Sequence, residues 1–385
     1  MPSHGLFQWG TVDRLFHSLV DCIIPQRRRQ GKKQEASLSK EETATMVKKQ
    51  LVLSTGNIIS GGPSIIRKPG AYRSNLELTN SLRSNFLAAK QDFAHSPLPS
   101  STPSSSTKED PSTTSNGTTS TNGTLVATPT TKTPTPLSQW TSCSPDGTLY
   151  IPRIDFESTP GLQEDPTQYD ITVKIFFLPT STLSERAGYT REALRLVQQE
   201  LRVPAVTLLI VSFPGMSFEG DCEWEADKLN ANQGNDEAEL ATWSQAIEPL
   251  YHDGLVKQLG IAEFGSEKLA RFFKGVKVKP AVDQINIKNC CNVPPPLVKL
   301  AKDEGVELFV HSDCTDVLPK GTLRELLGQG IRGAGVLADP SEGVEEGLRG
   351  DLTPQWVVKY TAVVRDRGVI ENKGYFAGAA LTEED

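Results

Sequence analysis

The stretch Ala205-Val-Thr-Leu-Leu-Ile-Val211 carries six aliphatic residues in seven positions. A short run of this apolar character predicts a strand that is buried on both faces, as in the centre of a parallel sheet. A helical pattern over 190–201 leads into it through Pro204. The stretch therefore predicts the central strand of a parallel α/β fold.

The same unit recurs outward from this strand, because short β-like runs alternate with helical patterns from residue 50 onward. Further strands are predicted over 51–54, 148–154, 171–177, 256–261, 282–287, 306–310 and 368–371, and further helices over 74–90, 237–253, 266–273, 296–304 and 354–367. About eight parallel strands is the number that closes a (β/α)8 TIM barrel. We expect this barrel, with an open doubly wound sheet as the structural alternative.

Two segments depart from the α/β pattern. Residues 96–136 hold 29 Ser, Thr and Pro among 41 positions and no aromatic residue, so little apolar burial offsets the entropy of ordering them. Residues 1–45 form a leader, predicted partly helical or disordered, that could dock on a membrane or partner or pack on its own domain. We expect one barrel domain over 46–95 and 137–385, interrupted by a disordered insertion at 96–136.

Charge and cysteine content narrow the classes of function. The net charge is −7 from 40 basic and 47 acidic side chains, which gives no overall reason to bind nucleic acid or an anionic membrane. No apolar run approaches the ~20 residues of a membrane span, and no secretory signal is recognisable. Six cysteines without a C-x-x-C pair predict neither a disulfide framework nor a zinc site. A reducing, cytoplasmic location fits best.

Few motifs indicate chemistry. No phosphate-binding glycine loop occurs, and the five histidines form no ligand pair for a metal. His311-Ser-Asp313 follows a predicted strand, where barrel enzymes keep their active sites, although a satisfied polar side chain is the simpler interpretation of His311. The acid-rich segment 219–240 is predicted to be a loop, either solvated or facing a basic partner.

Three blocks carry a family resemblance: Leu53-Ser-Thr-Gly-Asn-Ile-Ile59; Val278 to Ile287 followed by Cys290-Cys-Asn-Val-Pro-Pro295; and Val357 to Ile370 with Lys373-Gly-Tyr375. They resemble the regulatory (modifier, or light) subunit of glutamate–cysteine ligase. The resemblance implies a non-catalytic protein that forms a heterodimer with the ligase's catalytic subunit and tunes its glutamate affinity and glutathione inhibition. Candidate partner contacts are Cys290, Cys291, Pro294 and Pro295, and burial of the two cysteines as small apolar side chains is the alternative.

That family is similar to aldo-keto reductases, whose reaction uses a Tyr, a Lys, an Asp and a His. Lys174 stands at the reductase Lys position, whereas Ser212 occupies the position of the His. The Asp and Tyr should lie five residues apart, but the candidate pairs lie four apart: Asp146 with Tyr150, and Asp165 with Tyr169. The resemblance therefore implies vestigial positions, no catalytic residues and no cofactor, with an NADPH-dependent reductase as the alternative.

Overall fold

The computed structural model describes residues 48–60, 73–94, 136–286, 292–314, 316–344 and 346–383. The leader, all but the last residue of the predicted insertion, and both Cys290 and Cys291 lie outside these ranges. Expectations for those segments stay predictions.

The described chain forms ten strands and nine α-helices. The strands are β1 (Lys48–Ser54), β2 (Ser142–Cys143), β3 (Leu149–Ile151), β4 (Tyr169–Phe177), β5 (Val206–Ser212), β6 (Val256–Ala262), β7 (Val282–Asn286), β8 (Glu307–His311), β9 (Asp351–Val364) and β10 (Val369–Thr382). The helices are α1 (Ser74–Ala94), α2 (Leu137–Trp140), α3 (Leu183–Leu201), α4 (Glu223–Asn230), α5 (Asp236–Thr242), α6 (Glu248–His252), α7 (Ser266–Phe273), α8 (Pro295–Glu304) and α9 (Lys320–Leu327). A π-helical stretch, Trp243–Ile247, joins α5 to α6.

All ten strands belong to one sheet, in the order β2-β3-β1-β10-β9-β4-β5-β6-β7-β8. Strands β4 to β8 are parallel and follow one another in chain order. Helices connect each of them to the next, which confirms the predicted βα units over 169–311. The fold is therefore α/β with a largely parallel half.

A closed barrel is not confirmed. Strands β2 and β8 lie at opposite ends of the strand order, and no pairing joins them within the described ranges. The antiparallel hairpin of β9 and β10 stands between β1 and β4 and pairs with both. The hairpin forms hydrogen bonds with the edges of both β1 and β4 that face each other in the strand order. The strands predicted over 51–54 and 171–177 are therefore separated by two antiparallel strands.

The helix predicted over 354–367 is wrong, because residues 354–364 belong to β9 and the last three lie in the turn that follows it. Its residues Trp356 to Val364 are mostly β-branched or aromatic, and such side chains favour a pleated strand. The prediction placed Pro354 at the first position of a helix, where proline is common. Pro354 is accommodated opposite Ala379, beside an irregularity in the pairing register, which is where a strand tolerates proline.

The acid-rich segment 219–240 is also not a loop. It contains α4 and all but the last two residues of α5, and several of its carboxylates have internal partners. Asp227 accepts hydrogen bonds from the backbone and hydroxyl of Ser266 at 2.6 and 2.5 Å, and Asp236 lies 2.7 Å from the buried amine of Lys268. Helix capping and ion pairing within the chain therefore use carboxylates that we expected to face solvent or a basic partner.

The two faces of the sheet pack against separate cores. One core contains Val173 and Ile175 of β4 together with Val358 and Tyr360 of β9. The other core lies under α1 and α9 and contains Phe176, Val357 and Tyr375. Side chains alternate between faces along a strand, so Lys174 and Lys359 point toward the second face. No helix in the described ranges has the length and apolar character needed to cross a bilayer.

Candidate functional site

Three polar side chains form a row across neighbouring strands. Lys174 of β4 pairs in register with Lys359 of β9, which pairs with Tyr375 of β10. Residues directly opposite each other in a sheet share a face, so all three project to the same side. Only 5% of the Lys174 side chain is exposed, against 24% for Lys359. Two facing lysines in such a setting need an anion.

Asp313 supplies that anion. Its Oδ2 lies 2.9 Å from the amine of Lys174, and its Oδ1 lies 2.9 Å from the amine of Lys359. Burial opposes ionisation of this carboxyl, but the charges of both lysines outweigh it and hold the pKa of Asp313 well below its usual range. Burial lowers the pKa of Lys174, while Asp313 opposes that change. One carboxylate thus bridges two cations.

His311 and Glu263 form the second part of the cluster. The backbone N–H of Asp313 donates to Nδ1 of His311 at 3.0 Å, so Nδ1 carries no proton and the ring proton lies on Nε2. That nitrogen is 2.8 Å from Oε1 of Glu263. Glu263 has a positive φ of 65° immediately after β6, a backbone conformation that costs energy for a residue with a side chain. The structure thus holds its carboxylate toward His311.

Two amides complete the arrangement. The amine of Lys174 donates to Oε1 of Gln284 in β7 at 2.7 Å. The side-chain amide of Asn286, at the end of the same strand, donates to the backbone oxygen of Asp313 at 3.0 Å. We refer to Lys174, Glu263, Gln284, His311, Asp313 and Lys359 as the polar cluster. Strands β4, β7, β8 and β9 and the turn after β6 position its members.

The hydroxyl of Tyr375 forms its hydrogen bond outside the polar cluster. Its hydroxyl donates to Oε2 of Glu77 at 2.5 Å, and the other oxygen of Glu77 pairs with Lys373 at 2.5 Å. Burial, together with the negative charge of Glu77, raises the pKa of Tyr375 well above its usual value. A proton donor to a carbonyl needs the opposite shift. The tyrosine in the row is therefore a weak acid with its proton committed to a carboxylate.

The charges of the polar cluster balance internally. The ammonium groups of Lys174 and Lys359 both contact the carboxylate of Asp313, and the carboxylate of Glu263 contacts His311. Such a site offers no surplus charge to attract an anionic cofactor. Among the described residues, no group of His, Cys, Asp and Glu side chains has a geometry that could hold a metal ion.

The structure brings together only some of the residues proposed from the sequence. Lys174 lies in the cluster, and His311 ends β8 as expected. Ser212 ends β5, and within the described ranges no hydrogen bond joins it to the cluster. Asp146 stabilises a local turn through Ser144 and Thr148.

The tyrosines of the two Asp-Tyr pairs also face elsewhere. Tyr150 receives a hydrogen bond from Arg195 at 3.1 Å, and Tyr169 donates to Glu371 at 2.5 Å. Asp165 caps the short helical turn that precedes β4. Neither candidate pair contributes to the polar cluster.

The proline-rich block starts a helix. Pro294 is buried and precedes the first residue of α8, and Pro295 is exposed at that first position, where proline is well tolerated. The helix begins one residue earlier than predicted.

Of the cysteines in the described ranges, Cys222 and Cys314 carry free thiols, while Cys143 takes part in a disulfide that the expectation of reduced cysteines did not include.

Sequence reasoning missed Asp313 as the partner of Lys174, and it missed Lys359 altogether. The signal for Lys359 was present, because alternation in β9 places it on the face opposite Val358 and Tyr360. Placing this segment in a helix concealed that signal. The pairing with Asp313 carries no local signal, since 139 residues separate it from Lys174.

The chain is similar to two curated regulatory proteins. The putative glutamate–cysteine ligase regulatory subunit of Schizosaccharomyces pombe is 27% identical over 234 residues, covering 58% of this chain and 74% of that protein. The glutamate–cysteine ligase regulatory subunit of Mus musculus is 23% identical over 250 residues, covering 63% and 80% respectively. No family model matches the chain.

Solved structures of aldo-keto reductases also match part of the chain. The Bombyx mori aldo-keto reductase in complex with NADP is 20% identical, covers 34% of this chain and 37% of its own, and superposes with a TM-score of 0.25. An overlap this small does not identify a shared fold. The curated relatives confirm the resemblance seen in the three sequence blocks: the chain is similar to the regulatory subunits of glutamate–cysteine ligase.

Proposed function

We propose that this protein binds the catalytic subunit of glutamate–cysteine ligase as a non-catalytic partner in a heterodimer in the cytoplasm. The observation that carries the proposal is the similarity to two regulatory subunits over 74% and 80% of their lengths. Bound in this way, the protein raises the apparent glutamate affinity of the ligase and weakens inhibition by glutathione.

Thermodynamic linkage explains how a non-catalytic partner can change the affinity of the ligase for glutamate. A regulatory partner shifts an equilibrium only by binding one conformation of the catalytic subunit better than another. A difference of ~1.4 kcal/mol in binding free energy changes an apparent affinity tenfold. No bond needs to be made or broken by the regulatory chain.

The polar cluster supports a binding role rather than catalysis. Its charged groups are paired with one another, and the nearby tyrosine donates its proton to Glu77. A site that catalyses reduction needs a proton donor directed at an open position. The cluster instead stabilises the sheet of a protein that acts through its surface.

The block from Cys290 to Pro295 stays a candidate contact. Pro294 and Pro295 restrict the backbone at the start of α8, which lowers the entropic cost of presenting the preceding residues to a partner. We propose that Cys290 or Cys291 reaches the catalytic subunit there, as a thiol contact or an intersubunit disulfide.

Mixing the purified chain with purified ligase catalytic subunit tests the proposal. We expect a shared peak in size-exclusion chromatography. We also expect a lower KM for glutamate and a higher glutathione concentration for half-inhibition in initial-rate assays. Separate elution together with unchanged kinetics would rule the proposal out.

A second candidate is an NADPH-dependent reductase with rearranged residues. One observation favours it: the polar cluster and Tyr375 bring a Tyr, a Lys, an Asp and a His to one side of the sheet. A fluorescence titration with NADPH separates the two functions. Saturable binding at micromolar concentration, with turnover of an aldehyde, would favour the reductase.

A further inference from the structure

A groove on the outer surface of α1 differs in charge from the rest of the molecule. It has a volume of about 420 Å³ and lies between α1 and the segment after α9. Three cationic side chains, Arg83, Lys90 and Arg332, line it, and no carboxylate is among its described lining residues. The whole chain carries a net charge of −7. We call this feature the basic groove.

The cations of the basic groove are held to different degrees. Arg83 pairs with the exposed Glu325 at 2.9 Å. Lys90 donates to the backbone oxygen of Ala334, and its amine also lies 5.0 Å from the centre of the Trp140 ring. Arg332 is exposed and has no ion-pair partner within the described part of the chain. The basic groove thus has one cation, Arg332, without an ion-pair partner among the described residues, beside two cations that are held by contacts, Arg83 and Lys90.

Two aliphatic side chains accompany these charges. Leu87 on α1 is 61% exposed, and Ile331 on the facing segment is fully exposed. Both line the groove, and Phe86 beneath them packs on Trp140 with ring centroids 6.0 Å apart. Exposed aliphatic groups gathered at one concave site are typical of a binding surface, whereas isolated ones need no explanation.

We propose that the basic groove docks an acidic segment of the ligase catalytic subunit, with carboxylates facing Arg332 and Arg83 and an aliphatic side chain between Leu87 and Ile331. This inference rests on the proposed function. Charge complementarity indicates the occupant. This chain carries a net negative charge and repels acidic segments over most of its surface, whereas the cations of the basic groove attract them. The aliphatic pair then supplies the apolar contact that ion pairs at a rim do not.

Two substitutions at the rim test the docking site. Arg332→Glu reverses the uncommitted charge, and Arg191→Glu on the exposed face of α3 is its matched control. Ile331→Ser removes an exposed aliphatic group, with Leu229→Ser on α4, which is 50% exposed, as its control. Circular dichroism melting of all four variants establishes that each one folds.

The affinity for the catalytic subunit is measured by calorimetric titration at low and high salt. We expect Arg332→Glu to weaken binding about tenfold and to reduce its salt dependence. We expect Ile331→Ser to weaken it about fivefold, while both controls stay within about twofold of the parent. Such a pattern supports the docking site.

Three results would overturn it. Unchanged affinity of the groove variants, when the parent chain binds, rejects the docking site and leaves the proposed function standing. Failure of the parent chain to bind rejects both. Unchanged affinity together with altered proteolysis within residues 95–135 would show that the groove holds the chain's own Ser/Thr-rich segment instead.

Discussion

Lys174 and Lys359 face each other on neighbouring strands, and their amines share the carboxylate of Asp313. Like charges directly opposite in a sheet repel each other. The bridging carboxylate turns this repulsion into attraction, so the stability of the sheet at this point depends on a residue beyond the end of β8.

Replacing this carboxylate tests that dependence. Less than a tenth of either side chain in the Lys174–Asp313 pair is exposed. Asp313→Asn therefore leaves a buried amine on Lys174 without its anion. We expect the free energy of unfolding in urea at pH 7 to fall by about 3 kcal/mol, as is usual when one member of a buried ion pair is removed.

The exposed pair of Lys320 and Asp351 provides the control. Asp351→Asn should cost at most about 0.5 kcal/mol. The pKa of Asp313 is depressed in the folded state, so its contribution is present above the unfolded value near 3.9 and is lost as the pH falls below it. Equal losses for the two substitutions would contradict the bridging role.

Asp283 predicts the opposite dependence on pH. It is fully buried in β7, and burial, reinforced by the charge of Glu263, raises its pKa well above the usual value. The unfolded carboxyl ionises near pH 4 while the folded one keeps its proton, so this residue destabilises the protein increasingly as the pH rises above about 4.

Asp283→Asn should therefore stabilise the protein at pH 7 by at least about 1 kcal/mol, with the gain shrinking toward pH 4. Urea unfolding at pH 4.5, 5.5 and 7 measures the difference. The exposed Asp170→Asn serves as control. A difference that does not change with pH would show that Asp283 is ionised in the folded protein.

Among the elements, the β9–β10 hairpin decides the architecture. Each of its strands has 14 residues, and together they separate β1 from the parallel strands. Close approach across the hairpin requires small residues. A Cβ added to Gly374 would lie 2.3 Å from the hydroxyl of Tyr360 and 2.5 Å from the backbone oxygen of Gly56.

We therefore expect Gly374→Ala to destabilise the protein by about 2 kcal/mol or more, because a backbone atom at that distance must move. Gly188→Ala is a matched control in α3, where an added Cβ meets nothing within 4 Å. It should stabilise the protein by about 0.5–1 kcal/mol, since alanine favours a helix. Thermal melting measures both changes. A higher Tm for Gly374→Ala would contradict the packing described here.

For the whole molecule, the question is whether the chain acts by contact or by chemistry. Tyr375→Phe removes the only hydroxyl in the row while keeping the aromatic ring in the core. We expect a loss of about 1 kcal/mol in stability, from the hydrogen bond to Glu77. The effect on the KM of the ligase for glutamate should stay within about twofold of the parent's.

The same variant distinguishes the reductase. If the parent chain reduces an aldehyde with NADPH and Tyr375→Phe abolishes the reaction, the regulatory interpretation fails. Assaying the parent and variant side by side, with and without catalytic subunit, separates a catalytic tyrosine from a structural one.

Local pattern was sufficient for the parallel half of the sheet. The strand predicted over 205–211 is present, shifted by one residue to 206–212, and helix α7 has the predicted bounds. A buried parallel strand and an amphipathic helix can each be identified from a few consecutive residues. The three family blocks likewise lie within short stretches. The resemblance to regulatory subunits therefore follows from the order of residues along the chain alone.

The hairpin and the polar cluster required tertiary structure. Nothing near Pro354 indicates that β9 pairs with β4 and β10 rather than closing a barrel, since strand pairing joins residues far apart in the chain. The same holds for Asp313, whose lysine partners come from other strands. Long-range hydrogen bonding and charge pairing depend on three-dimensional proximity, and periodicity along a sequence carries no record of it.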